Sequence, residues 1–452
     1  MYKTFKKPIK KASPDIKLPE PRISMFVIFL LRVLMRGYLL FFYGISKTLL
    51  HEDIEFYKAI KRALEKKSRL IIAFRHPNGG EPQFLTWFFL FKLRWYAFRK
   101  GVRFPRWPHA MFVYGYEVVR WGGWVARFIL SGIRGMPIYH SKMDSKGMTR
   151  IYNAIDEGRF PVAIAPEGQV SYSTDTIPRL EPGVIRIGFG AALHMEKKDP
   201  SCPIEVLPLS IHFRFGPWGK ATVEILLRHT EKYCGFAKKE RKNISFRQRI
   251  EKCREYILKE NEERYNIKND DTLPFEERLE KVTNAALETG ERILGLKSEG
   301  DFFTRLHKVR QICWDKIFLP DVFDFKGMSR LRRSIKDLDA GQAWYTSRHQ
   351  ELAEFCWYFK VPVPSDDKPL HNKIEYVQNL YDFASRTMGG GYSNRISIFP
   401  RKVIIKTAPV INLTERLPRY KEDRKTTISD TLADLEKAYI DDIIEMNRIE
   451  KG

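Results

Sequence analysis

In a chain of 452 residues, the side chains best placed to do chemistry lie in Arg75-His76-Pro77-Asn78-Gly79-Gly80-Glu81. A histidine can take a proton from a hydroxyl near neutral pH. A carboxylate on its other ring nitrogen fixes the tautomer and stabilises the imidazolium. In a continuous helix, His76 and Glu81 would point to different faces. Pro77-Asn78-Gly79-Gly80 is instead a strong turn signal that can fold the two together. Leu70–Phe74 reads as a buried strand leading into the histidine, and Pro82 suits the first position of a helix. The expected order is therefore strand, histidine, tight turn, carboxylate at a helix start. A histidine near a glutamate is common on surfaces, so the pair gains weight from a second constellation. Phe160–Ala165 reads as another apolar strand and runs into Pro166-Glu167-Gly168-Gln169. A carboxylate and a glycine again stand at the carboxyl end of a strand, where open α/β sheets place their sites. The plainer reading is a turn, with Gly168 supplying a positive φ.

The elements that must position these residues read as α/β. Strand-length apolar runs occur at Leu70–Phe74, Met136–Tyr139, Val162–Ala165, Val206–Phe215 and Ala221–Leu227, with helical stretches between several of them. That pattern predicts a mixed sheet covered by helices. Two of the helical stretches, Gln83–Phe98 and Trp107–Leu130, interleave Trp, Phe and Tyr with Arg and Lys, as an interfacial membrane surface does. The same rings could stack bases, but the apolar run Phe88-Phe89-Leu90-Phe91 favours lipid. The first apolar stretch, Ile23–Tyr43, is long enough to span a bilayer. Arg32 and Arg36 interrupt it one turn apart, which predicts a helix lying in the interface, arginines toward headgroups and Phe26, Phe29, Leu30, Val33 and Leu40 toward acyl chains. A span and a buried soluble helix are the alternatives. Beyond about Thr230 the composition turns helical, notably at Phe275–Leu296, Asp301–Leu319, Trp344–Phe359 and Thr427–Met446. Two short strands at Arg401–Lys406 and Val410–Leu413 could return to the sheet.

These readings predict a basic N-terminus with an interface helix over 1–60, a catalytic α/β domain over 61–230, and a mostly helical region of unassigned role over 231–452. The formal charge of +24 attracts polyanions, whether nucleic acid or anionic headgroups. The five cysteines form no Cys-x-x-Cys pair, which fits neither a disulfide framework nor a zinc site and suggests a reducing compartment. No cleavable secretory signal is expected in the basic, proline-containing start.

Taken in order, four blocks resemble the glycerolipid acyltransferase family, which includes the 1-acylglycerol-3-phosphate acyltransferases. His76-Pro-Asn-Gly-Gly-Glu81 is similar to the family's His-x4-Asp motif, and Ala165-Pro166-Glu167-Gly168-Gln169 to its later Phe-Pro-Glu-Gly motif. Gly135–His140 and Val206–Ile211 look like two further blocks, and Leu180–Val184 fits a glycine-started helix after the Glu-Gly motif. The resemblance spans about a third of the chain, from Arg69 to Leu227. It implies acyl transfer from a thioester, on coenzyme A or acyl carrier protein, to a hydroxyl of a lysolipid such as 1-acylglycerol-3-phosphate, in phospholipid synthesis. His76 would be the base, Glu81 its orienting partner, and Glu167 and Gly168 would help bind the acceptor. It implies no metal or bound cofactor, a membrane-associated enzyme on the cytoplasmic face, membrane lipids as partners, and no nucleic acid. Two departures stand out: the family's usual arginines are His140 and Val170 here. Arginine suits phosphate through its bidentate fork, so an acceptor phosphate would have to be held by Arg75, Arg134 or Lys142, or by protonated His140. The missing arginines raise the alternative of a non-phosphate acceptor, a lyso-aminolipid or glycolipid. A non-catalytic membrane or nucleic-acid binding protein is the rival of another class.

Overall fold

The computed structural model describes residues 10–16, 20–51, 54–139, 144–216, 218–241, 244–320, 322–365, 367–391, 395–398 and 400–449. His140 and Lys142, two of the expected phosphate partners, lie outside the described residues. The chain forms two compact units, one of Met1–Lys17 with Pro217–Ser397 and one of Leu18–Gly216 with Ile398–Gly452. The boundaries expected at 60 and 230 are not the ones that separate these units, because the last 55 residues complete the sheet of the α/β unit, a long-range pairing.

The first unit is helical. A two-residue strand β1 (Ser13–Pro14) pairs in parallel with β8 (Phe318–Leu319). Six helices accompany them: α9 (Gly219–Tyr233), α10 (Phe246–Arg264), α11 (Phe275–Leu294), α12 (Phe302–Ile317), α13 (Arg330–Tyr358) and α14 (Leu370–Thr387). Helix α9 corrects the expected strand at Ala221–Leu227. Its Val223, Leu226, Leu227 and Thr230 are buried at helical spacing, so packing against α14 overrides a locally β-prone run. The Tyr233 and Tyr381 hydroxyls meet at 3.0 Å in that contact. Charges inside the unit are paired: Arg278 meets Glu262 at 2.6 Å and Arg305 meets Glu291 at 2.7 Å.

The second unit is a three-layer α/β sandwich. It runs α1 (Met25–Tyr43), β2 (Ile45–His51), α2 (Ile54–Leu64), β3 (Arg69–Phe74), α3 (Glu81–Phe91), α4 (Leu93–Arg99), β4 (Met111–Gly115), α5 (Glu117–Trp121), α6 (Gly123–Gly132), β5 (Met136–Ile138), α7 (Ser145–Glu157), β6 (Val162–Ile164), α8 (Gly183–Lys198) and β7 (Ile204–Phe215). It resumes with β9 (Arg401–Thr407), β10 (Ile411–Asn412), α15 (Leu417–Glu422) and α16 (Arg424–Ile449). The eight-stranded sheet has the order β2-β9-β7-β3-β6-β4-β5, with β10 also on β7. Strands β3 to β7 are mutually parallel, and β9 and β10 run antiparallel to β7. The stretch Trp107–Leu130, expected as helix, thus contains a strand, β4, and only then the helices α5 and α6.

Period-2 alternation explains the layers. Leu70, Ile72 and Phe74 of β3 belong to one core with α1 to α4, while Ile71 and Ala73 belong to another with α7, α8, α15 and α16. Every residue of β3 is buried, as a central parallel strand requires. The connection after β3 passes over the first face through α3 and α4 to β4. The connection after β6 passes over the second face through α8 to β7. The chain therefore leaves the neighbouring strands β3 and β6 in opposite directions, and a crevice opens between their carboxyl ends.

Helix α1 is the one described helix long and apolar enough to cross a membrane. It sets Val27, Leu31, Met35 and Leu39, four residues apart, against the α/β core. Its outer face exposes Phe26, Phe29, Val33, Leu34, Phe41 and Phe42, and the Phe26 ring meets Phe128 of α6 edge-on. Leu30 and Leu40, expected on the lipid side, are only half-exposed. Arg36, expected among headgroups, donates instead to the carbonyls of Ile45 and Ser46 at the start of β2. The free carbonyls of a strand entering the sheet offer it a nearer partner than the solvent does.

Candidate active site

Strand register brings the two constellations together. Ala73 of β3 pairs with Ile164 of β6, and His76 and Glu167 each stand three residues further on. One Glu167 oxygen accepts the backbone N–H of His76 at 2.7 Å, and the other accepts Arg75 Nε at 2.9 Å. Ser171 N–H donates to the His76 carbonyl at 3.0 Å. The backbone of the histidine is thus clasped on both sides by the segment after β6. Gly168 makes that segment possible: at φ +70° it turns tightly, its N–H reaching the Ala165 carbonyl at 3.1 Å.

The turn after His76 closes on Glu81. One Glu81 oxygen accepts Asn78 N–H at 2.8 Å, and the other accepts Gly79 N–H at 2.7 Å and meets His76 Nδ1 at 2.7 Å. Glu81 is the first residue of α3, where the helix dipole also favours negative charge. Gly79 sits at φ +103°, a conformation a side chain would strain. Gly80 has no room for one, because a Cβ there would come within 2.5 Å of the Tyr43 ring. The side chain of Glu81 is fully buried, and burial pushes its carboxyl up. The hydrogen bond and charge of His76 and the backbone N–H groups outweigh this and hold it below the ordinary carboxylate value. An ionised carboxylate can only accept, so Nδ1 carries the proton and Nε2 is the basic nitrogen. Nε2 has no partner among the described residues, and the side chain is 17% exposed. That is the arrangement a general base needs. Glu81 contributes stability that is present above the ordinary carboxylate range and is lost as pH falls through its lowered value.

Arg75 and Glu167 take other places than the resemblance implies. Both side chains are fully buried. Besides Glu167, the Arg75 guanidinium donates to the carbonyls of Ser173, Thr174 and Thr176. It is consumed in pinning the loop before α8 and has no donor directed at a ligand's phosphate. Glu167 likewise spends both oxygens on Arg75 and the His76 backbone, so it is a positioning residue. Arg134 lies two residues before β5, at the end of the sheet where the parallel strands begin, and pairs with Glu157 at the end of α7. His76 is at the opposite end, so Arg134 is not part of this site. Among the described residues no group of His, Cys, Asp and Glu is arranged to hold a metal ion.

Four supporting residues come from Arg401 onward, in a region to which the sequence alone assigns no role. Arg401, buried at the start of β9, donates to Asn78 Oδ1 at 2.7 Å and to the Tyr43 carbonyl, and lies over the Phe213 ring. It braces the turn between His76 and Glu81. Tyr439 of α16 donates to the Ala73 carbonyl at 2.9 Å, three residues before the histidine. One turn on, Ser210 donates to Asp442 at 2.6 Å, and Asn447 reaches Asp175 at 3.0 Å, in the loop that Arg75 holds. The weak signal in the sequence is a polar face on an otherwise amphipathic last helix.

Burial pushes the Asp442 carboxyl up to about 6, against the opposing hydrogen bond from Ser210. Its folded value exceeds its unfolded one, so the native state gains a proton as pH falls from about 6 toward the ordinary range near 4. At neutral pH the charged form costs stability on the order of 2 kcal/mol. Asp442→Asn can still accept from Ser210 and should raise the melting temperature at pH 8, with the gain vanishing by about pH 4. Equal shifts at both pH values in thermal melts would contradict this.

No protein-family model matches this chain, and no curated protein matches it.

Proposed function

We propose that the chain is an acyltransferase of the glycerolipid type, seated on a membrane at the cytoplasmic face. The observation that carries this is the His76–Glu81 pair at the crevice between β3 and β6, with Nδ1 tied and Nε2 open. An acceptor hydroxyl would give its proton to Nε2 as its oxygen attacks the carbonyl of an acyl thioester, carried by coenzyme A or acyl carrier protein. Collapse of the tetrahedral species would break the carbon–sulfur bond, and the imidazolium would return the proton to the leaving thiolate. Glu81 orients the ring and stabilises its charged form. Arg75, Glu167 and Arg401 act through the backbone that presents it.

The outer face of α1 supports the membrane seat. It exposes Phe26, Phe29, Phe41 and Phe42, and Phe26 meets the exposed Phe128 of α6 edge-on, apolar surface of the kind that marks an interaction. One side of α1 belongs to the protein core, which favours a helix lying in the interface over one crossing it.

Two acceptors are weighed by the site. A lysolipid phosphate such as 1-acylglycerol-3-phosphate is the family's acceptor. A lyso-aminolipid or glycolipid gains ground because Arg75 is spent internally and Arg134 stands at the other end of the sheet. The test is thiol release from acyl-coenzyme A or an acyl-carrier thioester by purified protein, offered lysophosphatidate, a lyso-aminolipid and a glycolipid in turn. Acceptor-dependent release is expected, and the strongest acceptor chooses between the readings. A protein that binds vesicles but releases no thiol with any pairing would be a binding protein, and the proposal would fall.

A further inference from the structure

Helix α13 of the helical unit begins as a projection. Ser329 caps it, accepting Arg332 N–H at 3.2 Å, and every residue from Ser329 to Ile335 is exposed. On this stretch Leu331 is 74%, Ile335 49% and Leu338 74% exposed. At roughly 100° per residue these three fall within an arc of about 60°. Tyr345, also exposed, continues the same stripe. Ala340, nine residues after Leu331 and so half a turn round, is fully buried. The stripe therefore points away from the body of its own unit, and no described residue covers it.

Arg330 and Arg332 flank the stripe, about 100° to either side of Leu331. Arg333, over the Phe325 ring, and Lys336 lie toward the far side of the helix, and Asp337 and Asp339 are the acids of this stretch. Asp337 accepts the backbone N–H of Ala12, and Asp339 lies 3.6 Å from Lys336. The side chains of Arg330 and Arg332 have no acidic partner among the described residues, whereas Arg278, Arg305, Arg310 and Arg386 of the same unit are ion-paired. Exposed leucine and isoleucine bordered by unpaired arginines match the chemistry of an anionic bilayer surface: the apolar stripe enters the acyl boundary, and the long cationic stems reach back to the phosphates. We infer that the first three turns of α13 form a second membrane contact, specific for anionic lipid, on the helical unit. This contact stands independently of the reaction at His76 and of the seat on α1.

The five native cysteines are all buried, so a cysteine introduced at an exposed position can be labelled alone. Leu338→Cys, carrying an environment-sensitive fluorophore in the full chain, is mixed with vesicles of phosphatidylcholine or of phosphatidylcholine with phosphatidylglycerol, each with and without a doxyl-lipid quencher. The expected result is a blue shift and quenching on the anionic vesicles only. Arg330→Gln/Arg332→Gln should weaken that response on the order of tenfold at low salt. A Phe29→Cys label on α1 reports the other contact separately. A silent Leu338 probe beside a responding Phe29 probe would overturn the inference. So would a Leu338 response that needs only more protein, which would indicate a second copy, or only an added acidic carrier protein.

Discussion

His76→Ala should lower acceptor-dependent thiol release by roughly 10²–10⁴-fold, the usual contribution of a positioned general base. It should also cost about 1.5–3 kcal/mol of stability, because the buried Glu81 carboxylate loses its side-chain donor and keeps only the Asn78 and Gly79 N–H groups. The informative partner is Glu81→Gln. An amide fits nearly the same volume, but it can turn its N–H₂ toward Nδ1 and favour the tautomer that protonates Nε2, which disarms the base. The amide also cannot stabilise the imidazolium. Glu81→Gln should therefore lose most of what His76→Ala loses, and the double variant should lose little more than either alone, since residues that act as one unit are non-additive. Rates measured under saturating thioester and acceptor would decide this. If the two losses multiplied, or if His76→Ala kept the parental rate, the pair would not be the base and its orienting group.

What the sequence made legible is what is local. The strand, the turn and the helix start around His76 lie within about fifteen residues, and the periodicity and turn chemistry of that stretch are decided nearby. The second strand end at Glu167 was legible for the same reason, and equal offsets from a shared register then brought the two together. The chemistry of Arg75 was not legible. A charged residue beside a candidate base looks available to a ligand, and only the arrival of Glu167 and three carbonyls from 173 to 176 shows that its donors are used. Arg401 and Tyr439 were invisible as site residues because their partners, Asn78 and Ala73, are more than three hundred residues away. Insertion of β9 between β2 and β7 creates the first support and the packing of α16 on the sheet creates the second, and no pattern within either element announces its neighbours. The outer face of α1 is partly legible: Phe26, Phe29 and Val33 are exposed as their spacing predicts, but Arg36 finds carbonyls that only the fold supplies.

The ion pair under the histidine should give the largest stability effect in the chain. Arg75→Met leaves the Glu167 carboxylate in a fully buried place without its countercharge, and breaking such a pair from one side costs about 3–5 kcal/mol. It also frees the carbonyls of Ser173, Thr174 and Thr176 from their donor. Glu167→Gln leaves the arginine as the unpaired charge, though the amide oxygen can still accept the His76 N–H. The double variant Arg75→Met/Glu167→Gln removes both charges and should be more stable than the sum of the single losses predicts, by roughly 1–3 kcal/mol of coupling. Denaturant unfolding of the four proteins measures this directly, and strict additivity would mean that the pair is not one unit. Activity then separates two roles for Glu167. A carboxylate that bound the acceptor would, on conversion to glutamine, chiefly raise the KM for that acceptor. A carboxylate that holds the backbone of the base should instead lower kcat for every acceptor, with KM little changed. The geometry predicts the second outcome, because both Glu167 oxygens are already engaged with the protein at 2.7 and 2.9 Å.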